Sequence, residues 1–358
     1  MKYFLSLLSL ALFISCQEQK RALPSSSTGD MTLLMDSCSY PHAILHEGKY
    51  YFTCQPDDET IRFRVTDDLR NIPEAKEYIA WRPDSLHMDH FWAPEMHYIR
   101  GQWYIYFEAD DGNTDNHQLY VLTCSEQDPT TGSWQLCGAL QTNPEWNFGL
   151  HPNVLVMPDD RLYLLWSGWP QRRAETETQC IYIAQLSDPC TVASQRVMLS
   201  SPDLEWERQW INPDGSRSAY PIYVNENPQA CLTPDGRRVC IFYSASGIWT
   251  VFNSLGCLTA DAEADLLDPA SWTKATEPLT LADSTYYGTS NICIVPKTDG
   301  TLALLFEAKN LQQGEEHRST YIRDISFDSN GGGVGYSLGS SAAPSTAWPG
   351  VVSASRGK

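Results

Sequence analysis

The chain has 358 residues and carries 44 Asp and Glu against 25 Lys and Arg, a formal charge of -19. That balance excludes nucleic acid and anionic lipid as surface partners, because both need clustered Lys and Arg to neutralise phosphates. Its eleven cysteines show no CxxC pair and no Cys/His spacing of a metal site, which leaves small buried thiols and one or two disulfides of unreadable connectivity.

In chain order, Lys2, the apolar run Phe4 to Ile14 and the closing Ser15-Cys16 read as an export signal over residues 1–15. The run is too short to span a bilayer. Because polar Gln17-Glu18-Gln19-Lys20 follows at once, Cys16 is the residue that bacterial lipoprotein processing would acylate. The expectation is an exported protein, lipid-anchored to the outer membrane on its periplasmic or cell-surface face. Residues 16–30, with Ser25-Ser26-Ser27, read as a flexible tether. Residues 336–358, rich in Gly, Ser and Ala, read as a flexible tail, with too few large apolar side chains to offset the entropy of ordering.

Between them, residues 31–335 repeat one unit: a Pro or small polar start, an apolar strand, a tight polar turn, and a second strand rich in Tyr, Phe, Ile and Leu. The copies run from Tyr40-Pro41 to Tyr50-Tyr51-Phe52, from Ala93-Pro94 to Trp103-Tyr104-Ile105-Tyr106-Phe107, and from His151-Pro152 to Leu162-Tyr163-Leu164-Leu165-Trp166. Two more run from Asn227-Pro228 to Val239-Cys240-Ile241-Phe242-Tyr243 and from Ser290-Asn291 to Leu302-Ala303-Leu304-Leu305-Phe306. Further strand candidates, such as Leu119 to Leu122 and Ile181 to Ala184, bring each interval to about four strands, the content of one propeller blade. The fold predicted is all-β, a five-bladed β-propeller. A β-sandwich is the competing architecture, but copies of one hairpin favour radial repetition. Met31 to Met35 is placed to complete the last blade and close the ring, and Asp261 to Leu267 is at most a short turn before Asp268-Pro269.

Phe91-Trp92-Ala93-Pro94-Glu95-Met96-His97, followed by Gly101 to Phe107 and Ala109 to Gly112, resembles glycoside hydrolase family 43, above all its exo-acting α-L-arabinofuranosidase branch. Matching text continues through Trp166 to Trp169, Asn225 to Gln229, Tyr243 to Gly247 and Leu267 to Trp272, so the likeness runs from about Tyr40 to about Phe327. The resemblance implies a five-bladed propeller and hydrolysis with inversion, which needs an acid at the leaving oxygen and, across the ring, a group that activates water. It places the general acid at Glu226. The family's base, an Asp, aligns with Tyr40, a phenol with an unperturbed pKa of about 10 that cannot serve as a carboxylate. An Asp that orients the acid aligns with His151, and an axial metal-binding His aligns with Asn291, whose oxygen would hold Ca²⁺ more weakly than a charged site. Arg318 is kept.

Tyr40, His151 and Asn291 are therefore either neutral fillers of a retired site or parts of a different one in which His151, Asp36 or Asp89 acts as base. With Trp92, Trp169, Asn291 and Arg318 as sugar contacts, the first reading is a hydrolase of O-glycosidic bonds in poly- or oligosaccharides, an arabinose-type terminal sugar favoured, needing no cofactor. The alternative is a catalytically inactive glycan-binding surface lipoprotein that uses Trp92, Trp146, Trp169 and Trp249 as aromatic platforms.

Overall fold

The computed structural model describes residues 31–338, less 56, 58, 84–86, 173–176, 210–221, 248–252, 280–285, 311–316 and 328–335. The signal, Cys16, the tether, Trp249 and residues 339–358 lie outside the described residues.

After β1 (Thr32–Met35), the first blade is β2 (Ser39–His46), β3 (Lys49–Gln55), β4 (Ile61–Thr66) and β5 (Glu77–Trp81). The second is β6 (Asp89–Ile99), β7 (Gln102–Asp110), β8 (Gln118–Cys124) and β9 (Gln135–Ala139). The third is β10 (Leu150–Val156), β11 (Leu162–Gly168) and β12 (Glu177–Asp188), with β13 (Thr191–Val192) and β14 (Val197–Ser200) both paired to β12. The fourth is β15 (Ile222–Leu232), β16 (Arg238–Ala245), β17 (Ser254–Asp261) and β18 (Thr273–Lys274), joined to the third by a short parallel ladder between Glu177–Gln179 and Ile222–Val224. The last is β19 (Tyr286–Pro296), β20 (Leu302–Asn310) and β21 (Arg318–Phe327). As expected of Met31 to Met35, β1 lies antiparallel to β21, with Thr32 opposite Ile322, and so supplies the fourth strand of the last blade from the start of the chain. β22 (Tyr336–Leu338) pairs with the outer side of β21. This corrects the predicted boundary at 335, because the exposed edge of β21 offers ladder partners to the first residues of the tail.

The second strands are apolar at almost every position because both faces of a blade are covered. Successive side chains point to opposite faces, so in β11 Leu162, Leu164 and Trp166 pack with Tyr104 and Tyr106 of the second blade. Tyr163 and Leu165 pack with Val239 and Ile241 of the fourth. The same arrangement recurs between each pair of neighbours, and Val295 and Leu305 of the last blade meet Ala43 and Phe52 of the first. A sandwich has one core; here the cores lie between blades and return to the start, which closes the ring. Trp103 and Trp166 are fully buried in these cores, each contributing roughly 1.5–3 kcal/mol by burial.

Among the described residues Cys38 pairs with Cys54 and Cys137 with Cys190, and six other cysteines are thiols. Two disulfides fit an oxidising compartment. The hairpin turns Glu47-Gly48 and Arg100-Gly101 have positive φ at both residues, the turn whose twist matches the flanking strands.

The innermost strand of each blade carries one further device. Tyr40, Ala93, His151, Asn227 and Asn291 all have φ between 47° and 53°, and each sits where the pairing register of its strand shifts. A bulge of this kind re-aims a side chain, and four of these residues precede Pro, which offers no N–H to the interrupted ladder. The repeat starts legible in the sequence are thus the bulges that point residues toward one end of the axis.

Candidate active site

A bulge leaves an N–H without a ladder partner, and a buried N–H must find another. Here the preceding blade supplies it from a polar residue near the end of its second strand. Tyr40 N–H donates to Glu307 Oε2 (3.1 Å), His151 N–H to Glu108 Oε2, Asn227 N–H to Ser167 Oγ (2.8 Å) and Asn291 N–H to Ser244 Oγ (3.2 Å). In the second blade the bond is reversed, Thr53 Oγ1 donating to the Pro94 carbonyl (2.5 Å). Glu108 and Glu307 were missed by the sequence reading. Their signal was present, since Phe52-Thr53, Phe107-Glu108, Trp166-Ser167, Tyr243-Ser244 and Phe306-Glu307 are the same aromatic-polar step in each repeat.

The re-aimed side chains meet. Tyr40 of the first blade stacks on His151 of the third with ring centroids 5.3 Å apart, which side chains from non-adjacent blades can do only at the axis. Arg318 hydrogen-bonds the Tyr40 side chain and places Nη1 3.4 Å from Glu307 Oε1. Glu226, 8% exposed, lies close enough for its charge to act on Tyr40, Glu108 and Arg318. The predicted acid, the residue at the base position, His151, Asn291 and Arg318 therefore share one site.

Burial sets the protonation states. It drives the Tyr40 phenol well above its ordinary pKa, so Tyr40 stays a neutral hydroxyl. Burial, helped by His117 and Arg318, lowers His151 to about 3, leaving a neutral imidazole at physiological pH. Burial raises Glu108 well above the usual carboxylate range, against the pull of the His151 N–H. His151 Nδ1 lies 3.2 Å from Ser167 Oγ, and Nε2 lies 4.0 Å from Glu108 Oε1. His151 is thus a neutral imidazole backed by a carboxyl.

The metal position implied by the resemblance does not fit this donor set. Asn291 Oδ1 accepts from Asn227 Nδ2 (2.7 Å), and Asn291 Nδ2 donates to Glu307 Oε2 (2.9 Å). Both ends of the amide are engaged, so Asn291 belongs to the hydrogen-bond belt of the site.

Other expectations are relocated. Asp36 is exposed and accepts from Ser319 Oγ (2.7 Å) as well as pairing with His317 (2.6 Å), and Asp89 is exposed at the start of β6. A carboxylate so solvated or so paired is a rim group and not the replacement base. Trp92 is half-buried with its ring 4.5 Å from that of His117. Trp169 is only 3% exposed and stacks on Phe148 at 3.8 Å. It is chiefly a packed residue, yet with Trp146, Phe148, His117 and Arg172 it lines a cavity of about 270 Å³, and the His117 charge reaches His151.

The sequence profile described as glycosyl hydrolases family 43 matches residues 36–332. The chain is 35% identical to alpha-L-arabinofuranosidase 43 of Humicola insolens over 68% of this chain and 48% of that protein, so it spans about half the length of that relative. It is 30% identical to an extracellular exo-alpha-(1->5)-L-arabinofuranosidase of Streptomyces avermitilis over 91% of this chain and 67% of that one. The crystal structure of an alpha-L-arabinofuranosidase from Lactobacillus brevis superposes with a TM-score of 0.73 at 28% identity, covering 83% of this chain and 93% of the other. With the profile spanning the ring from before its first bulge to beyond its last, and with an acid at its axis, this chain belongs to glycosyl hydrolases family 43.

Proposed function

We propose that the protein is an exo-acting glycosidase that releases an arabinose-type terminal sugar from oligo- or polysaccharide. Glu226 is the proton donor to the leaving oxygen, and His151, backed by Glu108, takes the proton of the attacking water. The observation that carries the reading is the meeting of Glu226, Tyr40, His151 and Arg318 at one end of the axis, on a scaffold shared with arabinofuranosidases. At rest His151 and Glu108 are both neutral; as the attacking water adds to the anomeric carbon its proton passes to His151, the imidazolium so formed is stabilised by the adjoining Glu108 carboxyl, and the proton returns to solvent when the free sugar leaves. Tyr40, kept protonated, offers a hydroxyl to the sugar, and Arg318 fixes its direction.

Glu226→Gln removes the transferable proton but keeps shape and hydrogen bonding. Turnover of an aryl α-L-arabinofuranoside or an arabino-oligosaccharide should fall by 10²-fold or more with unchanged thermal unfolding. Unchanged turnover would sink the assignment. The second reading, a glycan-binding protein without turnover, is favoured by the phenol at the base position. Saturable calorimetric binding of arabino-oligosaccharides by the wild-type chain with no released sugar would select it.

The relatives named extracellular agree with export. We further propose that the lipid on Cys16 holds the domain at the outer membrane, where it meets its carbohydrate ligand.

A further inference from the structure

Two residues beyond each left-handed residue, the inner strands contribute a second ring to the axis: His42, Glu95, Asn153, Gln229 and Cys293. It lies on the side away from Glu226, where the inner strands continue toward Leu45, Val156, Leu232 and Pro296 around a cavity of about 330 Å³. The mechanism uses none of it.

Glu95 is 4% exposed. Its Oε1 accepts from Gln229 Nε2 and its Oε2 from Asn153 Nδ2 (2.8 Å), and Asn153 is itself fixed by the Ala230 N–H (3.0 Å). The carboxylate is therefore aimed by amides from two other blades, as a metal-binding carboxylate is aimed by its outer partners. Around Oε2 stand two imidazoles, His97 Nε2 at 3.4 Å and His42 Nε2 at 3.7 Å, with their rings 4.9 Å apart. One ligand atom from each residue lies within 4.8 Å of the others, and all three residues are buried. His42 is 5% exposed and its Nδ1 has no hydrogen-bond partner, while its Nε2 stops short of hydrogen-bond reach of Glu95. A buried polar ring left this way is costly.

We propose that His42, His97 and Glu95 bind a divalent transition-metal ion of the zinc type, with a structural role in tying the first and second blades at the axis. Two imidazoles and one carboxylate form the N₂O set that suits zinc-type ions, whereas Ca²⁺ and Mg²⁺ prefer oxygen. Tetrahedral metal–ligand bonds of about 2.0–2.2 Å set ligand atoms roughly 3.3–3.6 Å apart, close to the 3.4 and 3.7 Å at which His97 Nε2 and His42 Nε2 already stand from Glu95 Oε2. The cavity gives the ion its route in and room for water as a further ligand.

The test uses the untagged chain, stripped with a chelator and dialysed, then titrated with ZnCl₂ in a calorimeter and with CoCl₂ in a spectrometer. The expected result is one saturable Zn²⁺ site, visible Co²⁺ bands without an intense near-ultraviolet thiolate band, and no comparable binding of Ca²⁺. His42→Ala and His97→Ala should each weaken Zn²⁺ binding at least tenfold, while His90→Ala, which alters the separate His90–Asp110 pair, should not. The cobalt spectrum of the wild-type chain decides the ligand type even if a variant fails to fold. No saturable binding, a thiolate band, or Zn²⁺ affinity unchanged in folded His42→Ala and His97→Ala would overturn the proposal.

Discussion

His151 makes the stability of the ring depend on pH in a calculable way. In the unfolded chain its imidazole titrates near pH 6.5, and in the folded one near 3, because burial beside His117 and Arg318 disfavours the cation. Between those values the unfolded state binds the proton and the folded state does not, so stability is full above pH 6.5 and is lost as pH falls toward 3. One pH unit within the window is worth about 1.4 kcal/mol, so lowering the pH from 6.5 to 5 costs roughly 2 kcal/mol through this group alone. His151→Gln retains a polar side chain and removes the titration. Urea unfolding of both proteins at pH 7, 6 and 5 should show their stability difference moving by about 2 kcal/mol in favour of the variant as the pH drops. Other acid-sensitive groups, His42 among them, are common to both and cancel. A difference that stays flat from pH 7 to 5 would refute the claim that His151 is held neutral by burial.

The remaining outcomes concern its neighbours and the chain's address. Glu108→Gln keeps an acceptor for the His151 N–H but cannot take up charge, so kcat on an arabinofuranoside should fall about tenfold or more while the unfolding temperature holds. Arg318→Ala leaves the fully buried Glu307 carboxylate without its cation; removing one partner of a buried pair costs about 3–5 kcal/mol, measured by urea unfolding at pH 7. Cys16→Ser should move the protein from the membrane fraction to the soluble one on cell fractionation, and retention in the membrane would remove the anchor from the account.

Much of this architecture could be read from the chain because the repeat is carried by residues with a local mechanism. Pro41, Pro94, Pro152 and Pro228 mark bulges that only a residue before an interrupted ladder would occupy, and Glu47-Gly48 and Arg100-Gly101 mark turns with an obligatory twist. Met31 to Met35 was legible as a closing strand because it is a short, largely apolar run placed just before the first hairpin. Spacing could not give depth. Trp169 looked like a sugar platform but stacks behind Phe148, and Asp36 and Asp89 looked free to move but are rim residues. Glu108 and Glu307 were overlooked because a lone charged residue late in an apolar strand reads as the start of its solvated tip. In a ring it instead faces the next blade's unpaired N–H.

The role proposed for Glu226 is acid chemistry at the axis beside a neutral His151. It is tested most directly by following arabino-oligosaccharide hydrolysis by proton NMR with the wild-type chain and Glu226→Gln side by side. Release of free arabinose that first appears as the inverted anomer, and its loss in the variant with the fold intact, is the result predicted. Retention of configuration, or equal release by both proteins, would contradict it.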